Sequence, residues 1–104
     1  MSNPQQDSGA DVQERPTTRE KEPTLFQVVL LNDDYSTMDF VIHVLEEVFQ
    51  KSPAEAYRIM MQVHVEGRGI AGVYPYEIAE TKADKVAALA QDAGYPLRAM
   101  VEEA

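Results

Sequence analysis

An α+β fold is predicted: a single small domain in the order β-α-α-β-α-β, with a three-stranded antiparallel sheet and its helices packed on one face. Three observations predict it. The run LFQVVLL is dense in large and β-branched residues and stops at a turn-forming acidic cluster. Three stretches with helical apolar spacing each open on a serine or threonine followed three residues later by an acidic residue. No internal repeat appears at a solenoid period, and 104 residues make at most one domain, so a sheet covered on one side is the economical way to bury those faces.

Taken in order, residues 1–24 contain no Leu, Ile or aromatic residue and are dominated by Pro, Gln, Glu, Asp, Ser and Thr. Nothing there can offset the entropy of ordering, so a disordered N-terminal extension is expected before a core domain at 25–104. The strand from Leu25 ends at Asn32-Asp33-Asp34. Ser36 with Asp39 forms a capping box for a first helix, whose face is Phe40, Val41, Val44, Leu45, Val48 and Phe49, running to about Gln50. Ser52, Pro53 and Glu55 start a second helix with the stripe Ala56, Ile59, Met60 and Val63, ending near His64 and before Gly67. Gly69 to about Glu80 reads as extended, with Pro75 marking an edge or bulge. Thr81 with Asp84 caps a third helix bearing Ala83, Val86, Ala87 and Ala90, which Gly94-Tyr95-Pro96 stops before the short strand LRAMV.

Composition removes whole classes of function. The formal charge of −9 repels phosphate backbones and anionic lipid, so neither nucleic acid nor membrane is an expected partner. No apolar run approaches the ~20 residues that span a bilayer, and residues 1–16 lack the basic start and apolar core of a secretory signal. With no cysteine there are no disulfides and no thiolate chemistry, which is consistent with a cytoplasmic location.

No cofactor, metal site or catalytic group emerges from the motifs. GRGIAG has the letters of a dinucleotide fingerprint, but it follows a helix and opens a strand, the reverse of what that loop requires. Read from Asp33 as a calcium loop, the chain has Met38 at the glycine position and Val44 at the bidentate glutamate position. His43 and His64 fall on different helices without metal-pair spacing, and no serine occupies a strand-turn-helix elbow. An enzyme is not expected.

One constellation remains. His64 lies four residues beyond Met60 on one face of the second helix, with Val63 beside them. If that helix returns antiparallel to the first, Asn32, Asp33, Asp34 and Met38 form a facing wall. Oxygen acceptors and an imidazole would then rim an apolar cleft, suited to a ligand with a cationic, multi-donor head and a hydrophobic body. A peptide's free N-terminus bearing a large side chain fits that description. The residues alone favour the simpler role for His64, a helix C-terminal cap.

The segments VVLLNDDYSTMDFVIHVL, MMQVHVEGRGIAGVY, EIAETK and GYPL, in this order, resemble the ClpS adaptors from about Leu25 to Glu102. These are proteins that bind substrates by their N-terminal residue and deliver them to a AAA+ Clp unfoldase and its peptidase. The resemblance implies that Asn32, Asp33, Asp34 and His64 bind the α-amino group. It further implies that Ser36, Thr37, Met38, Val41, Met60, Val63 and Leu97 surround the side chain of a Leu, Phe, Tyr or Trp. Glu77 and Lys82 match positions that dock the adaptor on the N-terminal domain of the unfoldase, and residues 1–24 would assist delivery. Ser36 stands where many relatives have threonine, and Asp39 where they have glutamate. The competing class is a general acidic interaction module, or an inhibitor of the unfoldase, that does not read N-termini.

Overall fold

The computed structural model describes residues 24–104. The expectation of a disordered extension falls, apart from Thr24, outside these residues. The elements are β1 (Leu25–Leu31), α1 (Met38–Phe49), α2 (Pro53–Glu66), β2 (Arg68–Pro75), α3 (Tyr76–Ala93) and β3 (Arg98–Glu103). The order β-α-α-β-α-β and the antiparallel three-stranded sheet are as predicted, with β1 central in the order β2-β1-β3.

Alternation along β1 sets the layers. Val28 and Leu30 face the helices and join Val44, Leu45, Ile59, Val63 and Val86 in one core. Opposite Val28 and Val29 the register of β2 slips from Gly72 to Ile70, so Ala71 is an extra residue whose methyl turns into that core. Val29 points to the helix-free face and is still wholly buried. It sits between Ile70 and Met100, on the face where Glu102 accepts from both Gln27 and Arg68. Among the described residues no helix covers that face, and the side-chain stems of that network shield it.

Four boundaries differ from the sequence expectation, each for a local reason. Thr37, not Ser36, is the N-cap of α1, and its Oγ1 accepts from the Phe40 amide at 3.1 Å. Ser36 is unavailable because its own amide donates to Asp33, which holds the chain in a turn for one residue more. The second helix continues past His64 to Glu66, ending at Gly67 in the left-handed region with φ 89°. Glycine enters that region without a Cβ clash. The third correction is the largest: Tyr76–Glu80 is helical rather than extended, and Thr81 lies inside α3, where its hydroxyl donates to the Glu77 carbonyl. Pro75 ends β2 and serves as the N-cap, and the buried stripe of α3 begins a turn earlier, at Ala79, continuing through Val86 and Ala90; Ala87 is exposed. Tyr76 and Ile78 carry strand-forming side chains, but Tyr76 uses its ring edge-on against Phe26 at 5.0 Å. Finally, Leu97 precedes β3 and is buried in the core.

Candidate functional site

The site forms where β1 runs out. Beyond Leu31 the chain turns through Asn32–Thr37, and the Asn32 amide donates to the Gly67 carbonyl at 3.0 Å. That bond ties the acidic loop to the end of α2, so Asn32 and His64, 32 positions apart in the chain, border one cavity. Close approach of β2 to α2 completes the arrangement. A Cβ on Gly69 would lie 2.8 Å from Val63 Cγ2, so only glycine leaves Val63 where it stands.

The cavity has a volume of about 260 Å³ and is open on one side. Its lining divides into two chemistries. Val41, Met60 and Val63 are buried and form the apolar part, while Met38 is 46% exposed at the rim. Asn32, Asp33, Asp34, Ser36 and His64 supply polar groups. Asp33 Oδ1 accepts from the amides of Tyr35 at 2.8 Å and Ser36 at 2.6 Å. Burial pushes the Asp33 carboxyl up, but the amides of Ser36 and Tyr35 more than offset this and hold it below the usual carboxylate value. The Ser36 hydroxyl adds a smaller effect in the same direction without forming a hydrogen bond of normal geometry. Asp33 Oδ2 and Ser36 Oγ are buried and make no hydrogen bond within the described residues. Leaving such atoms unpaired costs ~1–3 kcal/mol each, so this is a place where a donor-bearing ligand recovers free energy that the fold does not.

Nine of the eleven residues expected at the site line this cavity; Thr37 and Leu97 do not. Thr37 caps α1, and Leu97 is buried in the same core as the lining residues Val41, Met60 and Val63. Glu77 and Lys82 both lie on α3, Glu77 exposed in its first turn. The Lys82 ammonium donates to the Val48 carbonyl at 2.7 Å and to Gln50 Oε1 at 3.0 Å, joining α3 to the C-terminus of α1. Gln50 there adopts a left-handed conformation with φ 53°. What the sequence reading missed is the positioning role of Gly67 and Gly69. Their signal was present in GRG but explained itself fully as a helix stop.

Among the described residues, no group of His, Asp or Glu side chains could hold a metal ion, and no helix is long and apolar enough to cross a membrane.

The family model described as ATP-dependent Clp protease adaptor protein ClpS matches residues 21–100. The chain belongs to the ClpS family. The ClpS adapter of Wolinella succinogenes is 56% identical over 82 residues, which are 79% of this chain and 80% of that protein. That of Desulfatibacillum aliphaticivorans is 50% identical over 99 residues, 95% of this chain and 94% of its own. Among solved structures, Agrobacterium tumefaciens ClpS2 bound to L-phenylalaninamide superposes with a TM-score of 0.77 at 41% identity, covering 80% of this chain and 100% of that one. The protein is thus an adaptor of an ATP-dependent Clp protease.

Proposed function

We propose that the cavity receives the first residue of a substrate protein whose N-terminal side chain is large and hydrophobic, Leu, Phe, Tyr or Trp, and that the adaptor delivers that protein to a AAA+ Clp unfoldase for degradation. The protein acts by binding; no bond is made or broken. The observation that carries this reading is the pairing of two chemistries in one cavity. Unpaired acceptors on Asp33 and Ser36 stand beside an apolar socket of Val41, Met60 and Val63. An N-terminal residue offers the complement: an ammonium with three donors and, one carbon away, an apolar side chain. L-phenylalaninamide, the ligand of the Agrobacterium ClpS2, has the same two parts with its carboxyl blocked, as in the first residue of a peptide.

Asn32, Asp33, Asp34 and His64 meet the α-amino group in this reading, with Ser36 beside them. Met38 closes the socket over the side chain, its flexible thioether conforming to aromatic and aliphatic shapes alike. Residues 25–104 are the adaptor core and 1–24 a delivery segment, acting in the cytoplasm. Glu77 and Lys82 mark the face that docks on the N-terminal domain of the unfoldase. Lys82 reaches that role with two of its donors already committed to α1, so it orders the surface as well as charging it.

The test is the affinity of two labelled peptides differing only in N-terminal Leu against Ala, by fluorescence anisotropy. Leu binds more tightly if the cavity reads N-terminal side chains. Equal binding overturns the reading and favours a general acidic interaction surface.

A further inference from the structure

The chain has five methionines and no cysteine, so its sulfur is entirely thioether. A two-electron oxidant that enters the compartment therefore meets no thiol on this protein, and methionine takes the oxygen instead. The four methionines in the described residues are placed very differently. Met60 is 2% exposed and Met61 is partly buried. Met100 is 37% exposed, but it lies on the helix-free face of the sheet, opposite Val29 in β3. Met38 alone is both open to solvent, at 46%, and part of the cavity lining. It opens α1 directly after the Thr37 cap, so backbone geometry holds its side chain at the rim.

We propose that Met38 is a reversible oxidation site that switches off recognition of hydrophobic N-termini. The inference rests on the function proposed above and assigns a regulation to the same cavity. The oxidant class is a peroxide. A lone pair on the Met38 sulfur attacks one oxygen of hydrogen peroxide, the O–O bond breaks as the S–O bond forms, and the departing hydroxide takes the proton of the transferred oxygen and leaves as water. Sulfur is oxidised from thioether to sulfoxide and the peroxide is reduced. Return requires a dithiol reductant: the sulfoxide oxygen leaves as water while two thiols become a disulfide.

The consequence follows from where the new oxygen lies. A sulfoxide is strongly polar and accepts hydrogen bonds, which water satisfies while the rim is open. A bound Leu or Phe side chain covers Met38 and strips that water away; its apolar neighbours Val41, Met60 and Val63 offer the oxygen no donor, and the donor-bearing Asn32, Ser36 and His64 face the ammonium in the proposed complex. The free protein tolerates the modification because Met38 is half exposed and lies outside the buried core. The bound state does not, so affinity falls without loss of the fold. Met60 is protected by its burial, which confines the effect to one sulfur of the socket.

The full chain is exposed to hydrogen peroxide for graded times and divided. Peptide mass mapping reads sulfoxide at each methionine, and anisotropy reads the Kd of a methionine-free, Leu-initiated peptide. Met38 should oxidise well ahead of Met60. Loss of binding should track the Met38 sulfoxide fraction, with at least a tenfold weaker Kd when conversion is complete and an unchanged far-ultraviolet circular dichroism spectrum. Treatment with both epimer classes of methionine sulfoxide reductase and dithiothreitol should restore binding. Met100→Leu should have wild-type affinity before oxidation and the same loss after it. In Met38→Leu the ratio of treated to untreated Kd should stay near one. Full Met38 sulfoxide with an unchanged Kd overturns the proposal, as does the same loss in Met38→Leu; where that variant binds too weakly to titrate, the wild-type time course decides. If the untreated protein does not prefer Leu over Ala, the proposed function fails first and the switch falls with it.

Discussion

Acetylating the α-amino group of a Leu-initiated peptide removes its charge and two of its three donors while leaving the side chain untouched. On the function proposed above, the ammonium would pair with Asp33 Oδ2 and Ser36 Oγ, both buried and without a partner in the fold. The acetyl group places a methyl against them instead. Losing one partner of a desolvated charged pair costs ~2–5 kcal/mol. The rim moves the expectation to the lower half of that range, because Asn32, Asp34 and His64 remain exposed and water can reach them. About 2–3 kcal/mol, at ~1.4 kcal/mol per decade, is a loss of roughly thirty- to 150-fold in Kd. Fluorescence anisotropy with free and acetylated forms of one labelled peptide measures it. Asp33→Asn isolates the charge: the amide oxygen can still accept from Tyr35 and Ser36, but the carboxylate is gone, so the free peptide weakens and the gap between the two peptides narrows. An acetylated peptide within threefold of the free one refutes the assignment of the polar half of the cavity to an ammonium. A gap unchanged in Asp33→Asn would move the contact to another acceptor.

Three further outcomes follow from the packing. Leu97→Ala should lower stability by ~2–5 kcal/mol through the cavity it leaves, read by chemical denaturation, while peptide affinity under native conditions changes little, because Leu97 lies in the core and not on the cavity wall. A selective loss of binding at wild-type stability would place Leu97 in the socket. Lys82→Met should cost ~1 kcal/mol or more of stability, since the Val48 carbonyl and Gln50 lose a charged donor at the end of α1; thermal denaturation without any unfoldase present checks this, and an unchanged midpoint would make Lys82 purely a surface charge. Asp33 has a folded pKa below its ordinary value of 3.8, so its ionised form stabilises the fold above that value, and this contribution disappears as pH falls through the lower folded value. The stability difference between wild type and Asp33→Asn should therefore be constant near neutrality and shrink below pH 3.8 in acid titrations; a difference that grows on acidification would reverse the sign of the shift.

Much of this was readable from the amino-acid string because local signals agreed with one another. LFQVVLL read as a strand, and its centre Val28–Leu30 is buried; the Ser52-Pro53 start and the glycines at 67 and 94 bounded their helices, and the apolar stripes of α1 and α2 showed which faces turn inward. The two halves of the site were visible as well, each on its own element: acids at the end of a strand, and Met60, Val63 and His64 on one helical face. The misreadings share a cause. Ser36 satisfies the capping box with Asp39 and Thr37 does not, yet the turn closed by Asp33 engages Ser36 and hands the cap to Thr37. Tyr76 and Ile78 have the propensity of a strand, and only the packing of Tyr76 on Phe26 and of Ala79 into the core makes that segment a helix.

What the sequence determined by itself is therefore the inventory: a small antiparallel α+β domain with an acidic loop and a methionine-bearing helix face. Tertiary structure decided that these meet, and how. Spacing along one helix or strand is set by a fixed backbone repeat, so it can be read from residue order. The distance between Asn32 and His64 is set instead by one amide of the loop bonding the Gly67 carbonyl and by a missing Cβ at Gly69, and neither leaves a periodic trace. Nor does sequence say which acceptors go unpaired, since Asp33 Oδ1 and Oδ2 are the same group until the turn occupies one and leaves the other buried without a partner.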